Sequence, residues 1–153
     1  MVPAGLAPLV MAGEGFHRVV RRQPVPAAVP YLCPAGYWTI GYGELCRQDH
    51  PEITEPAARE RLVGLLLPLY VAHALRLSPR LVAAPEACLT AIADFVFNLG
   101  PTRYAASTLR RRVGAAEWGD AAVECRRWVY GGGRVLPGLV LRREAEAQLL
   151  LRS

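Results

Sequence analysis

Cys33-Pro34-Ala35-Gly36-Tyr37-Trp38-Thr39-Ile40-Gly41-Tyr42-Gly43 is the stretch on which the reading of this chain turns. Tyr37 to Ile40 is aromatic and β-branched, a composition that favours a strand. Gly41 and Gly43 then bracket a turn. The segment joins a thiol that can act as nucleophile or base, Cys33, to the hydroxyl of Thr39 six residues later. A simple hairpin with a buried thiol has the same composition and spacing, so these residues alone leave both readings open.

Upstream, the first 43 residues hold one carboxylate, Glu14, set between Gly13 and Gly15 and beside Phe16. A carboxylic acid against apolar walls keeps its proton to higher pH, because desolvation disfavours the anion. That state suits a general acid. An ordinary solvated Glu at a helix end is the plainer alternative. The pattern predicts a short helix over Leu6 to Glu14, ending near Gly15, and a strand over Phe16 to Val20. Arg21 to Pro26 reads as a turn or exposed loop, since each proline removes a backbone donor.

Downstream, the punctuation is helical. Thr54 is a candidate N-cap with Pro56 in the first turn. The helix that follows should run to about His73 and bend or break near Pro68. Pro85 starts and Gly100 ends another helix, in which Leu89, Ile92, Val96 and Leu99 share a face. Ser107 can cap a further helix, and one more is expected over Ala115 to Trp128. Gly131-Gly132-Gly133 reads as a flexible connection. A last helix is expected from Pro137 to Leu151.

The whole chain sets bounds on these readings. Its 153 residues are 52% hydrophobic and 20% charged, values of an ordered globular protein with one domain. The net charge is +5, and every basic residue apart from histidine is Arg. Such a balance attracts polyanions, cell-wall polymers included, although a merely solvated basic surface fits equally well. Met1 to Gly13 has no basic n-region, so no signal peptide is read. No stretch suits stable membrane insertion. Cys33, Cys46, Cys88 and Cys125 form no C-x-x-C pair, and no zinc-ligand spacing links them to a histidine. We therefore expect no metal and no cofactor, with reduced thiols and with Cys88 and Cys125 in the core.

The stretch Cys33 to Gly43 resembles the signature of the phage lysozymes, glycoside hydrolase family 24. Glu14-Gly15 resembles the Glu-Gly pair that precedes it in that family. Phe95-Val96-Phe97-Asn98-Leu99-Gly100 resembles the F-x-F-N-x-G helix, and Ser107-Thr108-Leu109 the S-T-L that follows. Trp128, Gly132, Gly138-Leu139 and Arg142-Arg143-Glu144-x-Glu146 resemble the C-terminal pattern, with looser acidic spacing. The resemblance implies an α+β, mainly α fold: one lysozyme domain over 1–153, with a small β-containing lobe over 1–50 carrying the catalytic residues and a larger helical lobe over 51–153.

The resemblance further implies hydrolysis of the β-1,4 bond between N-acetylmuramic acid and N-acetylglucosamine in bacterial peptidoglycan. Carried over residue by residue, Glu14 is the general acid, while Cys33, in the place of an Asp, and Thr39 position water. Inversion at the anomeric carbon is implied. An ordinary thiol ionises near about 8.5, so Cys33 is expected to be mostly protonated and to position water without an obligatory charge. Tyr42 and Asn98 are candidate sugar contacts, with core packing and helix capping as their alternatives. A monomer is expected, acting on the wall from the host bacterial cytoplasm after the membrane is permeabilised.

Two departures stand out. Glu14 and Cys33 lie 19 positions apart, about nine or ten more than the family usually has, so their pairing rests on resemblance and not on geometry. The extra residues fall within 16–32, where a longer surface hairpin costs little closure entropy. Glu44 stands where the family commonly has His, and a solvated side chain is expected there. Rival readings remain. A catalytically inactive, cationic wall- or membrane-binding protein on the same fold is suggested by Arg142, Arg143 and Arg152 among C-terminal leucines. Nucleic-acid binding has only Arg110-Arg111-Arg112 in its favour. A lytic transglycosylase would need only the single acid Glu14.

Overall fold

The computed structural model describes residues 1–152. Its class is α+β with helix predominating, and the chain forms two compact units. One unit spans Ala7–Leu66; the other joins Met1–Leu6 to Leu67–Ser153.

The first unit begins in helix α1 (Leu6–Glu14), which Gly15 ends at φ +70. Six short strands follow: β1 (Val19–Arg21), β2 (Ala27–Ala28), β3 (Tyr31–Leu32), β4 (Trp38–Ile40), β5 (Glu44–Leu45) and β6 (Ile53–Thr54). They form two antiparallel sheets, ordered β1-β2-β6 and β3-β4-β5. The strand expected over Phe16 to Val20 begins only at Val19, because Arg18 adopts a left-handed φ of +55 that breaks an extended run. The lengthened segment therefore builds β1 and β2, which join β6 in a sheet separate from the meander. It leaves the β3–β4–β5 meander, with Cys33 and Thr39, intact.

Local chemistry explains the meander. Pro34 pre-sets the turn after Cys33, whose carbonyl accepts from the Gly36 N–H at 2.8 Å. Gly36 takes φ +83, and the Cys33 N–H then donates to the Tyr37 carbonyl at 2.9 Å. This is a three-residue hairpin closed by a left-handed glycine. Its register sets Tyr31 opposite Thr39 and Leu32 opposite Trp38. At the next turn Gly41 has φ +60, and a Cβ there would come within 2.9 Å of Ala58 Cβ. Thr54 caps α2 (Glu55–Arg61), accepting from the Ala57 N–H. The chain then widens into a π-helical stretch, Leu62–Leu66. Pro68 lies just beyond it, lacking an N–H and crowding the preceding carbonyls, a known cause of such a break.

The second unit holds α3 (Leu67–Leu77), α4 (Glu86–Leu99), α5 (Pro101–Ala105), α6 (Thr108–Gly114), α7 (Trp118–Arg126), the hairpin strands β7 (Tyr130–Gly131) and β8 (Arg134–Val135), and α8 (Pro137–Leu150). Helix α4 is central, packed by α3, α5 and α8. The expected single apolar face is thus replaced by burial all round, from Thr90 through Phe97. Ser107 caps α6 through the Arg110 N–H at 3.0 Å. The expected helix over Ala115 to Trp128 starts late, at Trp118, after Ala116 turns at φ +58. Gly131 to Gly133 is a tight hairpin turn and not a loose connection. Gly132 and Gly133, at φ +58 and +75, take the two positive dihedrals of a primed turn.

Buried charge runs through this core. Arg142 grips Asp94 with two bonds of 2.9 and 2.7 Å. Arg143 and Glu146 are both 0% exposed and pair at 2.8 Å. The Arg143 guanidinium also lies 4.7 Å from the Phe95 ring centroid. The cationic C-terminal segment is accordingly a core helix, with its two central arginines turned inward.

Candidate active site

Cys33, Thr39, Tyr42 and Glu14 all belong to the first unit. Glu14 closes α1 and is half-buried. Thr39 lies in the middle of β4, is 4% exposed, and donates to the Tyr37 carbonyl at 3.1 Å. Cys33, at the hairpin tip, is half-buried.

The hairpin brings Cys33 and Thr39 together. Burial works against a charge on the Cys33 sulfur. The nearby polar groups, the Tyr37 backbone first, then the Thr39 side chain and the Ala35 and Gly36 backbone, outweigh it and hold the thiol below its usual range. The turn thus shifts the thiol towards thiolate relative to a free cysteine. The other thiols move the opposite way. Burial and Glu44 raise Cys46, burial alone pushes Cys88 up to about 11, and burial with Glu146 raises Cys125 further.

Tyr31 joins this group, and the sequence reading passed over it. It is half-buried, and its phenol is raised by burial and then by the charges of Glu14, Cys33 and Cys46. Glu14 and Cys33 thus act electrostatically on one phenol, although 19 positions separate them in sequence. The signal that could have found Tyr31 is its place two residues before Cys33 in an extended segment, which sets both on one sheet face.

The remaining candidates have other surroundings. Tyr42 is buried, its hydroxyl donates to Glu55 at 2.7 Å, and its ring lies 5.6 Å from that of Phe16. Those contacts favour the packing alternative over a sugar contact. Asn98 lies in the second unit near the end of α4, where its carbonyl oxygen accepts from Arg143 at 3.0 Å. Glu44 is not the solvated side chain expected. Arg61 clamps both its carboxylate oxygens, one through Nε at 2.7 Å. The Arg110-Arg111-Arg112 run is engaged within the chain, on Ala105 O, Thr108 Oγ1 and Glu117 respectively.

The mainly helical α+β fold, with its small β-containing unit, is lysozyme-like. The Phage lysozyme family model matches residues 27–146. The SAR-endolysin of Escherichia phage Mu is 31% identical over 158 residues, covering 94% of this chain and 86% of its own. The SAR-endolysin of Bacteriophage PS119 is 32% identical over 123 residues, covering 80% and 72%. Among solved structures, the muramidase domain of SpmX from Asticaccaulis excentricus superimposes with a TM-score of 0.77 at 24% identity, over 99% of this chain and 97% of that one. An endolysin from Escherichia coli O157:H7 phage FAHEc1 gives 0.74 at 22%, over 99% and 93%. The chain belongs to the phage lysozyme family, the glycoside hydrolases that cut bacterial peptidoglycan.

Proposed function

We propose that the protein hydrolyses the β-1,4 bond between N-acetylmuramic acid and N-acetylglucosamine with Glu14, Cys33 and Thr39. Glu14 gives its proton to the glycosidic oxygen as the bond to the anomeric carbon breaks. A water on the opposite face of the sugar attacks that carbon. Thr39 orients the water, and the Cys33 thiolate accepts its proton, so the product is inverted. The observation that carries this reading is the β3–β4 hairpin, which holds the half-buried Cys33 at its tip beside Thr39, 4% exposed in β4. Tyr42 supports the site from within the unit's core, and Asn98 is a sugar contact held by Arg143.

The chain is further proposed to act as a monomeric endolysin that reaches the wall from the host cytoplasm once the membrane is opened. The endolysins among its relatives support the endolysin role. Purified protein should then clear chloroform-treated Gram-negative cells and leave intact ones turbid.

The deciding experiment follows turbidity of purified peptidoglycan with wild type and Glu14→Gln, and identifies the fragments by mass spectrometry. Wild type should release hydrated reducing muramic-acid ends, and Glu14→Gln should lose about 100-fold or more in rate. Anhydro-muramic ends would replace hydrolysis with transglycosylation. Full activity in Glu14→Gln would remove Glu14 from the mechanism.

A further inference from the structure

We propose that Tyr31 is a further positioning residue of this site, its phenol O–H donating to the water or sugar oxygen that Cys33 and Thr39 hold. The inference rests on the assignment of Cys33 and Thr39 to water.

Register supplies the first argument. Tyr31 stands directly opposite Thr39 in the β3–β4 pair. Residues opposed across an antiparallel ladder point to the same face, with Cβ atoms about 5 Å apart. Cys33 follows two residues after Tyr31, so it projects from that face too. One sheet face thus presents thiol, hydroxyl and phenol, and the phenol reaches farthest from the backbone.

Hydrogen bonding supplies the second. The hydroxyls of Tyr42 and Tyr104 each have a protein partner, Glu55 and Ser78. The Tyr31 hydroxyl has none among the described residues, although the ring is half-buried. A half-buried donor without a protein partner is open to solvent or ligand.

The third argument concerns the ring, which is held in place. His17 lies edge-on to it, with centroids 5.7 Å apart and planes at 75°. His17 in turn occupies the space left by Gly15, where a Cβ would come within 2.9 Å of its Nε2. The lengthened segment after Glu14 therefore supplies the brace for Tyr31. Burial first, and then the charges of Glu14, Cys33 and Cys46, raise the phenol above its ordinary range and favour the neutral donor.

The test is kinetics on soluble peptidoglycan fragments with wild type, Tyr31→Phe, Tyr31→Leu and Glu14→Gln. Tyr31→Phe keeps the ring and its contact with His17 and removes only the donor. Its kcat should fall roughly 10- to 100-fold, at or below the usual effect of one positioned donor. Its KM should stay within about threefold, and its Tm within about 2 °C of wild type. Tyr31→Leu should lose stability in addition. Wild-type kcat in Tyr31→Phe, with Glu14→Gln inactive, overturns this inference alone and leaves a packing ring. Undiminished activity in Glu14→Gln overturns the assignment of the site and this inference with it.

Discussion

At the residue scale, the hairpin tip sorts the cysteines by reactivity. Thiolate is the nucleophile towards alkylating agents, and Cys33 alone is held below the usual thiol range. Iodoacetamide should therefore modify Cys33 first, then Cys46, with the buried Cys88 and Cys125 spared in the folded protein. Peptide mapping after short exposure checks the order. Thr39→Val, which removes a polar group that lowers the thiol, should raise the pH midpoint of Cys33 modification; an unchanged midpoint would mean that the hydroxyl does not stabilise the thiolate. A second expectation concerns Tyr42. Its bond leads the effects that hold Glu55 below the ordinary carboxylate range, followed by the bond from Arg59. A depressed carboxylate stabilises the fold above its unfolded pKa, and that contribution disappears as pH falls through the folded value. Tyr42→Phe should therefore cost about 1 kcal/mol at neutral pH, and less on acidification, as thermal melts at several pH values would show. Cys33 and Thr39 were legible because the turn motif is local. Tyr31 was not, because its link to Thr39 exists only once strands pair. Glu44 was misread for a related reason: its partner Arg61 lies 17 residues on, across a loop, strand β6 and the length of α2.

At the element scale, the punctuation carried far. Thr54, Ser107, Pro85 and Gly100 mark helix ends as their side chains and dihedrals require. The glycine run at 131–133 misled, because linkers and primed turns share a composition. The strands it joins have two residues each, too short to show alternation. The positive dihedrals give a test. Gly132→Ala and Gly133→Ala should each lower stability by about 1 kcal/mol, read from urea midpoints, whereas a flexible linker would tolerate either. Helix α4 was misjudged in its surroundings only. Its apolar residues were visible, but Thr90 and Asp94, also buried, gave it the look of a one-faced helix.

At the scale of the whole molecule, the long-range charge pairs decide most. Asp94 and Arg142 stand 48 residues apart, and nothing in local sequence announces their meeting. Burial opposes the Asp94 anion, but the hydrogen bonds and charge of Arg142 hold its carboxyl below the ordinary range. Replacing Asp94 by Ala removes the doubly bonded carboxylate from Arg142 in a buried pair and should cost about 3–5 kcal/mol, measured by chemical denaturation. Glu146 runs the other way. Burial pushes its carboxyl well up against the pull of Arg143. A raised carboxylate contributes stability that is complete below its unfolded pKa and is lost as pH rises through the folded one. Glu146→Gln should therefore flatten the loss of stability above the ordinary carboxylate range. An unaltered pH–stability curve would show that Glu146 is already ionised in the folded state.

Membership of Met1–Leu6 in the helical unit has a consequence for biosynthesis. Leu6 is fully buried, and the Ala4 N–H donates to Glu86, 82 residues later. Residues 1–6 thus find these partners only after the strands and the start of α4 have been made. The site-bearing unit emerges as a single segment between two pieces of the helical unit, free to form its hairpins before the helices that follow are complete.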